Sequence, residues 1–322
     1  MSSTVAQAHT SAFRHEALFY SGPAGFVEGT AAFVRDAIEN AEPTLVVVET
    51  EKIRALQAAL SGDNTRDVAF ADMADVGHNP ARIIPAWREF VAAHGGVDRP
   101  VRGIGEPIYP ARSADELVEC QHHENLLNVA FTGGVGWWLL CPYDVTALPP
   151  DVIREAKRSH QFVCTDGHHA PSPVVRDLDA MSQPPTAPLT EVPPNADTLW
   201  FSFPGDLAAV RCVVRAHAAR AGLDRDQIDA IVLAADEIAA NGLHYGGGRS
   251  ELRVWHTDDV VTCEVESAGR FEAPLAGREQ PTMFDDHGRG LWLVNQLCDL
   301  VQVRSLATGS IVRIHLRARS RG

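Results

Sequence analysis

From Phe13 to Asp166 the apolar residues come in short runs, separated by longer stretches in which they recur every three or four positions. Short runs rich in β-branched and aromatic residues predict strands, and the three-to-four spacing predicts helices. This places strands at 15–20, 44–48, 68–71, 101–104 and 137–141, with helices at 26–40, 52–60, 83–94 and 113–131 between them. Thr44-Leu45-Val46-Val47-Val48 is apolar from Leu45 on, the form of a strand covered on both faces in a parallel sheet. Strands alternating with helices predict an α/β fold, doubly wound and Rossmann-like, over residues 12–166.

The pattern then changes. Pro171, Pro173, Pro184, Pro185, Pro188, Pro193 and Pro194 stud a segment without apolar periodicity, which predicts a semi-extended linker over 167–196. Beyond it the pattern reads as a strand at 199–203, a helix at 207–221 capped by Asp206, and a second helix ending at Gly246. Strands at 251–256 and 260–266 form a hairpin around Asp258-Asp259, and a loop rich in Gly, Pro and charge fills 270–287. A helix at 290–299 and strands at 301–306 and 310–317 complete an α+β sandwich over 197–319.

The helix that ends at Gly246 carries two stripes. Ile228, Ile231, Val232, Ala235, Ile238 and Ala239 form an apolar one, and Glu237, Asn241 and His244 form a polar one at i, i+4 and i+7. Any amphipathic helix has a polar outer face, so the second stripe by itself decides nothing. Chemically, the Asn241 amide oxygen suits a Mg²⁺ held on phosphates, and Glu237 suits the work of a general base. Downstream, Gly288-Arg289-Gly290 runs straight into an apolar helix. Glycines at a helix start let backbone N–H groups reach an anion.

Charge and cysteine content narrow the classes. The formal net charge is −14 with no block of Lys or Arg to offset it, so no direct nucleic-acid partner is expected. No apolar run approaches the roughly 20 residues of a membrane span, and Met1–Thr10 lacks the order of a signal peptide. A cytoplasmic location without a membrane partner is expected. Cys120, Cys141, Cys164, Cys212, Cys263 and Cys298 contain no Cys-x-x-Cys pair and read as reduced core residues. A set drawn from Cys120, His122, His123, Cys164, His168 and His169 matches no zinc spacing. There is no P-loop, and Gly133-Gly134-x-Gly136 precedes a strand where a dinucleotide fingerprint would follow one.

In their order, Glu237-x-x-x-Asn241, the Ser267-Ala268-Gly269 turn after a strand, Gly288-Arg289-Gly290-Leu291-Trp292-Leu293-Val294 and a closing strand after Gly309-Ser310 resemble one domain. It is the ATPase domain of histidine kinases, gyrase and Hsp90, and most closely its anti-sigma-factor serine/threonine kinase branch. The resemblance implies a Bergerat-like sandwich that binds ATP and Mg²⁺. On it Glu237 is the catalytic base, Asn241 the Mg²⁺ ligand, and Ser267, Gly269, Gly288, Arg289, Gly290 and Ser310 line the cofactor site, with the 270–287 loop as lid. Its partners would be a sigma factor and a STAS-type anti-anti-sigma protein, and a homodimer is compatible with it. One departure is plain: the family's adenine-binding Asp is replaced by Ser267, and Phe271 stands where a glycine is usual. Glu266 points to the opposite face of its strand and cannot substitute. ATP binding is therefore expected to be weakened or lost, which leaves a nucleotide-independent binding module as the alternative. A sensor histidine kinase would need a helical hairpin with a phosphorylatable His before the ATPase domain, and the proline-rich segment takes that place.

In the first half, His15-Glu16-Ala17-Leu18-Phe19-Tyr20, Gly105-Glu106-Pro107-Ile108-Tyr109-Pro110, the stretch from Glu119 to Asn128, and Leu139-Leu140-Cys141-Pro142-Tyr143-Asp144 resemble the MEDS sensory family. The resemblance implies binding of a small-molecule ligand. His15, Glu106, Glu119, His123 and Tyr143 either line a ligand crevice at the C-terminal edge of the sheet or cap helices and tie loops.

Overall fold

The computed structural model describes residues 12–96, 99–271, 273–281 and 288–319. Its chain forms two units. One holds the residues up to Gly77, Ala86–Ser113 and Cys120–Ser182, and the other holds His78–Pro85, Ala114–Glu119 and the chain from Gln183 on. The predicted tail Met1–Thr10 and, within the predicted lid, residues 272 and 282–287 lie outside the described residues.

The first half of the chain runs β1 (Arg14–Tyr20), α1 (Gly22–Glu39), β2 (Thr44–Val48), α2 (Thr50–Ala59), β3 (Val68–Asp72), α3 (Met73–Val76), α4 (Ile83–His94), β4 (Arg102–Gly105), α5 (Ala114–Ala130) and β5 (Trp138–Asp144). Then come α6 (Pro150–Ser159), β6 (Phe162–Thr165), β7 (His168–Pro171) and α7 (Leu178–Ser182). The strands make one mixed sheet in the order β3-β2-β4-β5-β1-β6-β7, parallel except for the β6–β7 pair. Val46, Val47 and Val48 are fully buried, as their unbroken apolar run predicts. Gly103 lets Trp87 pack close against β4: a Cβ there would sit 2.8 Å from the Trp87 ring.

The β6–β7 hairpin corrects the predicted linker. Asp166 and Gly167 take φ of 49° and 73°, the left-handed pair of a two-residue hairpin turn, and His168–Pro171 pairs back on Phe162–Thr165. The Asp-Gly dipeptide was the available signal, masked by a following strand that contains two His and a Pro.

The second half runs β8 (Asp197–Phe201), α8 (Leu207–Arg220), α9 (Arg225–Tyr245), β9 (Ser250–Thr257), β10 (Val260–Ser267), α10 (Arg289–Leu297), β11 (Leu300–Leu306) and β12 (Gly309–Arg317). The sheet is antiparallel throughout, ordered β11-β12-β10-β9-β8. One face, with Leu252, Val254, Val261, Cys263, Val265 and Ile314, packs in one core with Val210 and Val214 of α8 and Ile231, Ala235 and Ile238 of α9. Asp224 starts α9 with a capping box, its Oδ1 accepting from Gln227 N–H at 2.8 Å while Gln227 Oε1 accepts from Asp224 N–H. Asp206 does not cap α8 as predicted: its carboxylate accepts instead from the N–H groups of Ser202 and Phe203.

The opposite face of this sheet is polar yet covered. Glu264 accepts from Arg253 at 2.8 Å and from Arg313 at 2.8 and 2.5 Å. Arg313 also donates to the Thr190 carbonyl, and Arg304 donates to that of Ala187. Residues 187–190 of the proline-rich segment are thus fastened to the sheet rather than free, because prolines leave carbonyls without in-chain partners and the arginines supply donors. Among the described residues no helix is long and apolar enough to cross a membrane.

Candidate functional site

On α9 the apolar stripe is buried apart from the half-buried Ile228, Glu237 and Asn241 are half-buried, and His244 is exposed. The first turn of α10 lies directly on that half-buried pair. A Cβ built on Gly290 would be 2.6 Å from Glu237 Oε2 and 3.3 Å from Asn241 Nδ2, so a larger residue there would push the Glu237 carboxylate aside. Gly288 caps α10 in the left-handed region, at φ 89°, with no side-chain hydrogen bond to the helix start. Gly288 and Arg289 are both exposed. The carboxylate, the amide and the glycine turn are brought together here.

Ser267, Gly269 and Ser310 meet at the C-terminal end of α9, about one turn beyond Asn241. Ser250, Ser267 and Ser310 stand side by side on β9, β10 and β12. Ser267 faces α9, where a Cβ on Gly246 would come within 2.9 Å of its own Cβ. Ser310 Oγ donates to the Gly269 carbonyl at 2.7 Å, while Ser250 Oγ is buried without a hydrogen-bond partner. Glu266 is on the opposite face, paired with Arg253 at 3.1 Å, and Phe271 packs against the core. The carboxylate, the amide and the glycine turn are the groups that suit the phosphate and Mg²⁺ end of a nucleotide, and at Gly290 the two helices are in direct contact. The base end has hydroxyls but no carboxylate.

In the N-terminal half the sensory candidates separate. Glu106 is bonded by Tyr20 OH at 2.8 Å and by Lys52 at 2.7 Å, and burial outweighs both to push its carboxyl up to about 7. Glu119 does not join the others: it is ion-paired with Arg304 at 2.7 Å, both within the second unit. His123 is fully buried. His15 and Tyr143 do come together, around three residues that the sequence did not single out. His15 Nε2 and His160 Nε2 lie 3.0 and 3.1 Å from Glu124 Oε2, Cys141 Sγ is 3.4 Å from His15 Nε2, and the Tyr143 ring stands edge-on to His160. All five are at most 1% exposed. Burial, and then the neighbouring His160, lower His15 to about 4. Burial raises the Cys141 thiol well above its ordinary range, and Glu124 adds to that. Burial would raise Glu124, but the two imidazoles facing it hold the carboxyl below its usual range.

Comparison with known families bears on both halves. Residues 14–161 match the model of the methanogen/methylotroph, DcmR sensory domain (MEDS), and residues 202–316 match that of the histidine kinase-like ATPase domain. The chain is a MEDS domain fused to a histidine kinase-like ATPase domain. No curated protein matches the chain. A sensory domain joined to a kinase-like ATPase domain supports a signalling regulator, and the ATPase-like domain suggests ATP binding. Sequence reading missed Glu124, Cys141 and His160 because they lie on three separate elements of the MEDS domain. Of the set weighed for zinc, Cys164 and His169 approach each other, at 3.9 Å, beside Glu16. The five other cysteines pair with nothing covalently either, and all but Cys212 are buried.

Proposed function

We propose that the chain is an anti-sigma-type regulator, in which the ATPase-like domain, Bergerat-like in fold, holds a sigma factor. A small molecule bound on the Rossmann-like MEDS domain alters that hold. The observation that carries this reading is the seating of Gly290 on Glu237 and Asn241. When bound, MgATP supplies a phosphoryl group for a Ser or Thr hydroxyl of a STAS-type anti-anti-sigma protein. Asn241 would hold the Mg²⁺, and the first-turn amides at Gly288 to Gly290, with Arg289, would hold phosphate oxygens. Glu237 would take the proton of the attacking hydroxyl, with positioning and electrostatics supplying most of the rate. Ser267, Gly269 and Ser310 would frame the base.

A second reading is favoured by one specific observation. Ser267 offers no charge to adenine, and Phe271 occupies the core where a glycine would leave space, so the pocket can be vestigial and the domain a binding module. Calorimetric titration of the full chain with MgATP, beside radiolabel transfer to a STAS-type protein and capture of a sigma factor, separates the two. Heat and transfer that both vanish in Asn241→Ala support the kinase reading. Sigma capture without ATP heat supports the module, and neither capture nor transfer would overturn both.

A further inference from the structure

We propose that the buried cluster of the MEDS domain is a four-ligand site for a borderline divalent metal ion of the Zn²⁺ type, held by His15 Nε2, His160 Nε2, a Glu124 carboxylate oxygen and Cys141 Sγ. Asn128 Nδ2 faces the carbonyls of Glu124, Asn125 and Ser159 at 3.1, 3.3 and 2.8 Å, which sets its amide with Oδ1 toward His15. His15 Nδ1, 3.3 Å from that oxygen, therefore carries the proton. His160 Nδ1, 2.7 Å from the Ala156 carbonyl, carries one for the same reason. In neutral imidazoles both Nε2 atoms are then bare lone pairs. Both face Glu124 Oε2, another lone-pair carrier, and the four ligand atoms lie within 4.8 Å of one another.

Acceptors packed on acceptors away from water need a positive charge among them. A proton is the poorer answer. His160 Nε2 and both Glu124 oxygens lack a well-aligned hydrogen bond in spite of their closeness. The spacing also accommodates an ion. Tetrahedral Zn²⁺, with bonds of about 2.0–2.1 Å to N and O and about 2.3 Å to S, sets neighbouring ligands about 3.3–3.6 Å apart. The observed contacts are 3.0, 3.1 and 3.4 Å. Charge closes as well, since one carboxylate and one thiolate neutralise a divalent ion, the thiol proton leaving to solvent as the metal binds. Each imidazole gives its second N–H to an oxygen, the outer arrangement that orients metal-bound histidines. With four protein ligands and no exposure, the site is of the closed, structural kind. It joins β1, α5, β5 and the residue that ends α6, and the metal enters as the domain folds.

The test uses the full chain without an affinity histidine tag. Elemental analysis of the purified protein should find about one Zn²⁺ per chain. Unfolding with chelator and refolding with Co²⁺ should give the strong visible absorption of tetrahedral Co²⁺ and a near-ultraviolet thiolate-to-cobalt band. If refolding fails, expression in Co²⁺-supplemented, zinc-poor medium gives the same readout. Cys141→Ser should keep the visible absorption and lose the thiolate band, and His160→Ala should lower occupancy several-fold. A folded chain that holds no metal and shows no cobalt spectrum overturns the proposal. So does a thiolate band that survives Cys141→Ser and disappears in Cys164→Ser, because the ion would then belong to the Glu16, Cys164 and His169 group.

Discussion

The α9–α10 site and the His15/Glu124/Cys141/His160 cluster differ in how their groups are assembled and in how much water reaches them. In the first, Glu237 and Asn241 come from one helix, one turn apart, and stay half-buried. In the second, four residues from four elements are shut away from solvent. A half-exposed group can change protonation and meet a partner, at little cost to the fold. A fully buried polar set has no water to fall back on, so any loss there is felt in stability. The two regions should therefore fail in different ways.

The sharpest way to break this contrast is Glu237→Gln. Phosphotransfer to a STAS-type protein should fall by about 10²- to 10⁴-fold, the usual contribution of a general base, while the melting temperature stays close to that of the parent. Transfer at the parent rate would show that Glu237 is not the base. Glu124→Ala should do the reverse. It removes the carboxylate that two buried imidazoles face and leaves a cavity, at a cost on the order of 3–5 kcal/mol. That shift would be read in calorimetric unfolding, with sigma binding by the ATPase-like domain unaffected. Unchanged unfolding would mean that the cluster is not under the constraint described.

Ser267→Asp is the intermediate case. It puts a charged acceptor on the face of β10 turned to α9, and a charge-assisted hydrogen bond contributes on the order of 1.5–3 kcal/mol, about ten- to a hundredfold in MgATP affinity. Because Phe271 packs against the core, the double change with Phe271→Gly should show the larger gain by titration. No gain in either variant would return the stripe on α9 to an ordinary solvated face. The smallest expected effect is at Glu106, whose carboxyl is raised to about 7 by burial. In this pH range the unfolded chain has already lost the proton that the folded one keeps, so stability falls as pH rises from about 4.5 to 7 and levels above that. Glu106→Gln should flatten that fall by on the order of 1–2 kcal/mol between pH 5 and 7, measured as melting temperature against pH.

Legibility in the sequence followed from how local each signal was. Strands β1 to β5 and the helices α1, α2, α4 and α5 were readable because their periodicity is strong and their ends carry Gly, Pro or polar caps. The β6–β7 hairpin was not, since four-residue strands with His and Pro offer no periodicity, and the pairing of β6 with β1 and of β7 with β6 decides their conformation. The segment around Ala187 to Thr190 read as a free linker because its composition says nothing of Arg304 and Arg313, more than 100 residues away.

By itself the sequence determined the two-part organisation, the helix that carries Glu237 and Asn241, and the resemblance of each half to its family, because these rest on residues close together in the chain. Only the tertiary structure decided that Gly290 sits on that pair, that Glu119 belongs with Arg304, and that residues 15, 124, 141 and 160 share one dry cluster. The physical reason is the same in each case. Backbone propensity and hydrophobic period act over one or two turns, whereas a contact between distant elements is set by how whole sheets and helices pack, which no local pattern encodes.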